Sequence, residues 1–462
     1  MLSIYEYENW IGIKLSSKNN IKYDWENGCI SFERKERNQK DSEVTIIFVG
    51  DISPTGVFQN PMIEGKASIL YGNLLKILSS ADYRICNLET VLSNKGSPII
   101  KGGPNLSAPP ETINGIISGG FNLACLANNH ILDYGAMAAL DTIELLEENG
   151  IAYIGVGNNN VEASRPFIFS IKEHKFAVFN CAEAEEAAVT ESNFGACDLV
   201  FNHLIIKNIR NIRKDIDFII VVVHAGMEYT PIASPRIHSL YQSFINAGAD
   251  IVVGHHPHVP QGIKVNIKSP IAFSLGNFIF PTHKGSAKNN TRKKRREYVS
   301  LGYMLKVTFA QRSITNIELI PYRIISGKGV ELLSANEKQQ FFQQIKRMSA
   351  ILKEDQLVVK YWETFCQAAL EEKYFPIFAG ALLNSYSQGK LRRKIKYLHV
   401  LLRWLLLSNK KQTKNIAIAQ NFLTIPTLYE LMIDALKNSK KKIRDNELIV
   451  KLLQEWGYKY FG

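Results

Sequence analysis

A chain of 462 residues is long for one compact domain, and 46% hydrophobic with 21% charged residues is ordinary globular composition, enough for a sizeable core. The net charge of +12 points to anionic partners (polyanions, membrane surfaces, phosphorylated substrates) or to a solvated basic surface. Six scattered cysteines without a C-x-x-C pair exclude a zinc ribbon and a secreted disulfide framework. The opening MLSIYEYENWIGIK lacks a signal-peptide pattern. Apolar runs fall short of the roughly 20 residues that span a bilayer, so a cytoplasmic protein is expected, at most peripheral to a membrane.

Residues 1–43 are polar and close on ERKERNQKDSE, which reads as an appendage and linker. From Val44, strand-length apolar runs alternate with a helix-length segment: TIIFVG, YRICNL, FNLACLA, then AMAALDTIELLEENG, then IAYIG. This predicts βαβ units with parallel central strands. FIFSI and KFAVFN, separated by Lys172, Glu173 and His174, predict a hairpin. DFIIVVVH and DIVVGHH lack polar alternation, as strands covered on both faces do. VSLGYMLKVTFA and SITNIELIPYRI predict a second hairpin, giving an α/β domain over 44–325 with a mixed sheet or two packed sheets inside helices. Beyond 325 the pattern turns helical, and 326–462 is expected to form a separate helical domain.

Five apolar strands end in residues able to hold a metal or move a proton: Asp51; Asn87 and Glu89; Asn128, Asn129 and His130; His224; and His255, His256 and His258. Open α/β sheets bind ligands outside the carboxyl ends of their strands, so these distant residues can converge. Their mix of oxygen and nitrogen donors suits one or two divalent ions, manganese, iron, zinc or magnesium. Glu89 could bridge two ions about 3.5–4 Å apart, and His130 could serve as general acid. Asn128 has a simpler reading as a turn stabiliser, and His255 stands between ligand and support. Asp133 either orients His130 or caps the helix that follows. Glu228 is a ligand, a base, or a partner for a backbone amide.

Two basic segments have alternative readings. In GSAKNNTRKKRREYV, residues Lys288, Arg292, Lys293, Lys294, Arg295 and Arg296 either gather an anionic substrate or form a solvated loop. KLRRKIKYLHVLLRWLLLSNKK, without an acid, either lies on an anionic membrane or packs against other helices. No G-x-S-x-G elbow, Walker loop or complete dinucleotide fingerprint occurs, and no basic–aromatic platform suggests specific nucleic-acid binding.

GDISPTG, NLET, ANNHILDYG, HAGMEY, GADIVVGHHPHVPQG and SLGNFIF, in this order, resemble the CapA family of capsule-synthesis proteins associated with poly-γ-glutamate. That family is similar in turn to calcineurin-like metallophosphoesterases. The resemblance implies a four-layer α/β/β/α sandwich with metal ligands Asp51, Glu89, Asn129, His224, His256 and His258, and His130 as catalytic histidine. Two positions depart from the phosphoesterase pattern: Ser53 stands where a histidine is usual, and Glu89 where an aspartate is. Three functions fit: a metal-dependent hydrolase of a phosphoester or a polyglutamate-like precursor, a metal-dependent epimerase of a peptide or glutamyl unit, or a non-enzymatic accessory protein. The last would bind an anionic polymer or the capsule-synthesis machinery.

Overall fold

The structure, a computed structural model, describes residues 21–32, 42–101, 103–191, 193–266, 269–281, 297–310 and 312–369. The apolar runs pair into two sheets. Ten strands make the first: β1 (Ile21–Asp24), β2 (Cys29–Phe32), β3 (Val44–Ile52), β4 (Tyr83–Leu88), β5 (Leu123–Cys125) and β6 (Ala152–Ile154) belong to it. The second holds β7 (Phe167–Ile171), β8 (His174–Ala182), β9 (Phe218–His224), β10 (Ile251–His255), β11 (Ile263–Asn266) and β12 (Ser269–Ala272). The chain then returns to the first sheet with β13 (Asn277–Ile279), β14 (Leu301–Ala310), β15 (Ser313–Ile325) and β16 (Gly329–Leu332).

The first sheet runs in the order β1-β2-β15-β14-β3-β4-β5-β6, with β13 beside β3 and β16 beside β15. The second runs β7-β8-β9-β10-β12-β11. Strands β3 to β6 are mutually parallel, as are β8, β9, β10 and β12. β7 with β8 and β14 with β15 form the two expected antiparallel hairpins. β9 and β10 are buried at every position, which explains their unbroken apolar sequence.

The sheets face each other through aromatic rings. Phe309 of the first meets Phe176 and Phe218 of the second at 5.3 and 4.9 Å between centroids, and Tyr83 stacks on Phe169 at 4.2 Å. Polar groups join them nearer the strand ends. Asn180 on β8 accepts from the Ala127 amide at 2.7 Å and donates to the Val222 carbonyl at 3.1 Å.

Helices cover the outer faces. Helix α1 (Ala136–Glu148) packs beside β6, α3 (Pro235–Ala247) lies over the second sheet, and α2 (Asn202–Ile212) packs against α3. The local sequence sets the ends of α3: Ser234 caps it, Pro235 opens it, and Gly248 at φ 119° closes it. Helix α4 (Ala335–Lys353) starts with a Ser334–Glu337 capping box, and α5 (Asp355–Ala369) follows.

Two segments expected to stand apart are built into this body. β2 pairs with β15, so residues 29–32 extend the first sheet. Past residue 325, β16 continues the same sheet, and α4 packs on β11, where its Ser349 hydroxyl accepts from the Ile263 amide at 2.9 Å. The remainder of the helical region, 370–462, lies outside the described residues, as do the basic segments at 286–296 and 390–411. Among the described residues no helix is long and apolar enough to cross a membrane.

Replacing Asn180 with Ala strips partners from a buried amide and a buried carbonyl on opposite sheets. The expected loss of stability is about 1–3 kcal/mol. Chemical denaturation measures it, and a loss under about 0.5 kcal/mol, the size of an ordinary surface change, would mean that the sheets do not depend on this bridge.

Candidate metal centre

The carboxyl ends of β3, β4, β5, β9 and β10 open onto one buried pocket. Asp51 lies near the end of β3, where β13 runs parallel to it and places Asn277 opposite. That pairing is close: the Asp51 amide donates to the Gly276 carbonyl at 3.0 Å, and a Cβ on Gly50 would sit 2.1 Å from the same oxygen. Only glycine fits at position 50.

Two carboxylates share the pocket and are treated oppositely. Asp51 is fully satisfied, its Oδ1 accepting from Asn87 Nδ2 and His255 Nδ1, each at 2.8 Å. Its Oδ2 accepts from the His256 amide at 3.3 Å and lies 3.5 Å from His258 Nδ1. Burial pushes this carboxyl up, but His255, by charge and hydrogen bond, with His258 and His224, holds it well below the usual range. Glu89 follows β4 and is also fully buried, yet neither of its oxygens has a hydrogen-bond partner. Instead its Oε1 faces three imidazole nitrogens: His224 Nε2 at 3.4 Å, His258 Nε2 at 3.6 Å and His130 Nε2 at 3.8 Å. Burial pushes Glu89 up to about 8, with Asp51 adding to it and His258 and His130 opposing.

The histidines are poised differently. Burial, only partly opposed by Asp51, keeps His224 well below the ordinary histidine value. Burial and the neighbouring His224 do the same for His256. Both are therefore neutral imidazoles, the form that ligates a metal. His256 Nδ1 lies 3.0 Å from His224 Nε2, and Asn129 Oδ1 lies 3.2 Å from that same nitrogen. His258 is pushed up to about 10, since Glu89 and Asp51 outweigh its burial. Its Nδ1 donates to Asn277 Oδ1 at 2.8 Å, which leaves Nε2 turned toward Glu89.

Two sets of donor atoms gather closely enough to surround an ion: Glu89, His224 and His256, and Asp51, Glu89 and His258. Glu89 belongs to both. Its orphaned oxygens are the test of fit, because a buried carboxylate without donors is strongly disfavoured unless a cation completes it. The pocket is compatible with a metal site.

The other expected residues take supporting places. His255 holds Asp51 and falls in neither donor set. Asn128 donates to the Leu88 carbonyl at 2.8 Å and accepts from the His130 amide at 3.1 Å, as a turn stabiliser does. Asp133 does not cap α1, whose N-cap is Gly135; its Oδ2 lies 2.6 Å from His130 Nδ1. Glu228, exposed on the loop after β9, acts electrostatically on Glu89, His256 and His258. The basic residues Arg292, Lys293, Arg295 and Arg296 lie outside the described residues.

Four residues at the pocket escaped the sequence reading. Asn277 lies in SLGNFIF and opens β13, a position at a strand end that the sequence makes visible. Lys101 lies in a glycine-rich segment far from any strand end, and nothing marked it. Glu183 accepts from the Gly226 amide at 2.9 Å and pairs with Arg236, bracing the loop after β9. Glu185, pushed up to about 8 by burial against the pull of Lys101, hydrogen-bonds the Asn129 side chain.

An α/β/β/α sandwich with such donors at its strand ends is the calcineurin-like fold. The family described as "Bacterial capsule synthesis protein PGA_cap" matches residues 45–282, and the chain belongs to it. It is 28% identical over 319 residues to the capsule biosynthesis protein CapA of Bacillus anthracis, covering 67% of this chain and 75% of that one. It is 27% identical over 250 residues to the PGA biosynthesis protein CapA of Bacillus subtilis (strain 168), covering 53% and 66%. Among solved structures, a novel phosphatase from Mycoplasma pneumoniae aligns with TM-score 0.38 and 17% identity over 66% of this chain and 99% of that chain.

Glu89→Gln is expected to act oppositely with and without metal. In the metal-free chain, the raised Glu89 pKa favours folding below the unfolded value of 4.5, and this contribution is lost as pH rises through about 8. The variant is therefore more stable than wild type at alkaline pH, and the gap narrows toward pH 5. With Mn2+ in excess, wild type gains melting temperature and the variant gains little. Thermal denaturation over pH and Mn2+ concentration reads both effects, and equal Mn2+ gains in the two proteins would remove Glu89 from the ligand set.

Proposed function

We propose that this chain is a metal-dependent hydrolase of phosphoesters that acts in the synthesis of a capsule or polyglutamate-type surface polymer. The reading rests chiefly on one observation: Glu89, fully buried and without hydrogen-bond partners, stands among three imidazole nitrogens. Glu89, Asn129, His224 and His256 would hold one divalent ion, and Asp51, Glu89 and His258 a second. A divalent ion bound there supplies Lewis acidity, polarising a phosphoryl oxygen and making water a usable nucleophile near neutral pH.

The chain's own residues would do the rest. His130 Nε2 faces the pocket while Asp133 holds Nδ1, so this ring can carry a proton on Nε2 and deliver it to the departing oxygen. Asn87 and His255 fix the Asp51 carboxylate, and Asn277 fixes the His258 ring, so the donor atoms stay aimed at the pocket. The membership of the chain in a capsule-synthesis family, together with its net positive charge, supports an anionic substrate.

Metal analysis of the purified full chain, with a panel of phosphate monoesters and diesters, tests the proposal. Bound divalent metal and turnover are expected, with His130→Gln lowering kcat by about 10²–10⁴-fold while metal content stays unchanged. A metal-loaded chain that cleaves no ester but exchanges a glutamyl Cα proton with solvent deuterium would replace hydrolysis by epimerisation. A metal-free chain that binds polyglutamate only at low salt would make it an accessory binder.

A further inference from the structure

The rim of the pocket has a different chemistry from its floor. Two aromatic rings rest on His258: Tyr229 at 6.0 Å and Phe280 at 4.8 Å between ring centroids. Both are partly exposed, whereas the His258 ring that they share is buried. Phe280 lies just past β13, while Phe278, two residues earlier, is buried among Tyr71, Phe121 and Tyr322. Tyr229 is held at φ 61°, a conformation few tyrosines adopt, with its amide bonded to the Pro257 carbonyl at 2.8 Å. Acids share this rim. Glu228, next in sequence to Tyr229, is exposed, and its charge bears on Glu89, His256, His258 and the Tyr229 hydroxyl. Glu186, also exposed, acts with Glu228 on Glu185, so these acids border the same opening. Two cations of this region are engaged below the rim. Lys101, its side chain only 1% exposed, donates to Asp133 Oδ1 at 2.6 Å, and Arg236 pairs with the buried Glu183.

A floor that takes an anion beneath an acidic, aromatic rim fits a ligand with two opposite charges. Glu89, whose fully buried oxygens lack hydrogen-bond partners, marks the place where bound ions would hold the anionic end. The faces of aromatic rings carry partial negative charge and attract a cation within about 6 Å, quaternary ammonium groups being the ligands that such rings commonly recognise. We propose that Tyr229, Phe280 and Glu228 form a subsite for an ammonium group, so that the substrate is a zwitterionic phosphoester, the phosphate ester of an ammonium-bearing alcohol. Because both rings rest on His258, one of the proposed ligands, only a short spacer separates the two charged ends. The anionic end rests on the proposed phosphoester chemistry; the preference for a cation at the rim does not depend on turnover.

The test compares two ligands of one shape. The full chain, loaded with Mn2+, is titrated by calorimetry with the phosphonate analogue of phosphocholine, which cannot be hydrolysed. The second ligand is its neutral counterpart, in which a tert-butyl group replaces the trimethylammonium. Wild type is expected to bind the cationic ligand about tenfold more tightly. Tyr229→Leu and Phe280→Leu are each expected to weaken the cationic ligand by about 3–10-fold and the neutral one by less than about twofold. Mn2+ content stays the same in both variants.

Equal affinity of wild type for the two ligands, or tighter binding of the neutral one, overturns the inference, and this comparison needs no variant to fold. Equal losses on both ligands together with lost Mn2+ mean that the rings only hold His258, which also overturns it. Binding of neither phosphonate does the same, whether or not Mn2+ is bound. Should the cationic ligand be preferred while phosphocholine itself is not cleaved, the hydrolase reading fails and the subsite stands.

Discussion

The structure depends on how two acids are kept in a place without water. Asp51 and Glu89 are both fully buried, and a carboxylate in such surroundings demands donors or a cation. The chain answers the demand for Asp51 from its own side chains and backbone, and leaves it open for Glu89. A pocket meant only to be stable would have satisfied both or used neither. The asymmetry makes Glu89 the point on which the imidazoles around it converge, and the neutral state of His224 and His256 follows from the same dryness.

Holding those imidazoles in place strains the backbone. Glu185, Tyr229, His256 and His258 all have positive φ without being glycine, and all four border the pocket. Each such residue costs of order 1–3 kcal/mol and persists only when its neighbours over-determine it. The neighbours are visible: the His256 amide is tied to Asp51, the Tyr229 amide donates to the Pro257 carbonyl at 2.8 Å, and the His258 ring is tied to Asn277. Strain in the H-H-P-H turn is therefore coupled to the same carboxylate and amide groups that shape the pocket.

Much of this was legible in the sequence, for a definite reason. Strands buried on both faces read as unbroken apolar runs, so DFIIVVVH and DIVVGHH revealed both their class and the histidines at their ends. The parallel order of β3, β4 and β5 followed from alternation with helices, and with it the convergence of Asp51, Glu89 and Asn129. What stayed hidden is what depends on partners remote in the chain. Whether His255 ligates or supports turns on its 2.8 Å contact with Asp51, 204 residues away. The place of residues 329–332 in the first sheet depends on an edge of β15 that no local pattern advertises. Lys101 lies in a segment without periodicity, and only the fold brings it under Asp133.

The pocket belongs to neither sheet alone. Asp51, Glu89 and Asn129 come from the first sheet, while His224, His255 and His256 come from the second, so the distance between the sheets sets every donor separation across the site. Shared cores of this kind tolerate little adjustment, because interiors are packed as densely as organic crystals. Asn180 bridges the sheets a short way from the strand ends, and Gly155 leaves room for it, since a Cβ there would meet Asn180 Oδ1 at 2.2 Å. The bond from Asn87 on β4 to His224 on β9, 3.2 Å long, repeats the same connection inside the pocket. Inter-sheet polar contacts at two depths therefore hold a common register, and the aromatic rings of Phe309, Phe176 and Phe218 fill the gap behind them. A centre built across a seam inherits the rigidity of the whole sandwich, and the loop carrying Glu228 is tied to it by the Gly226 amide on Glu183 and the Tyr229 amide on the Pro257 carbonyl.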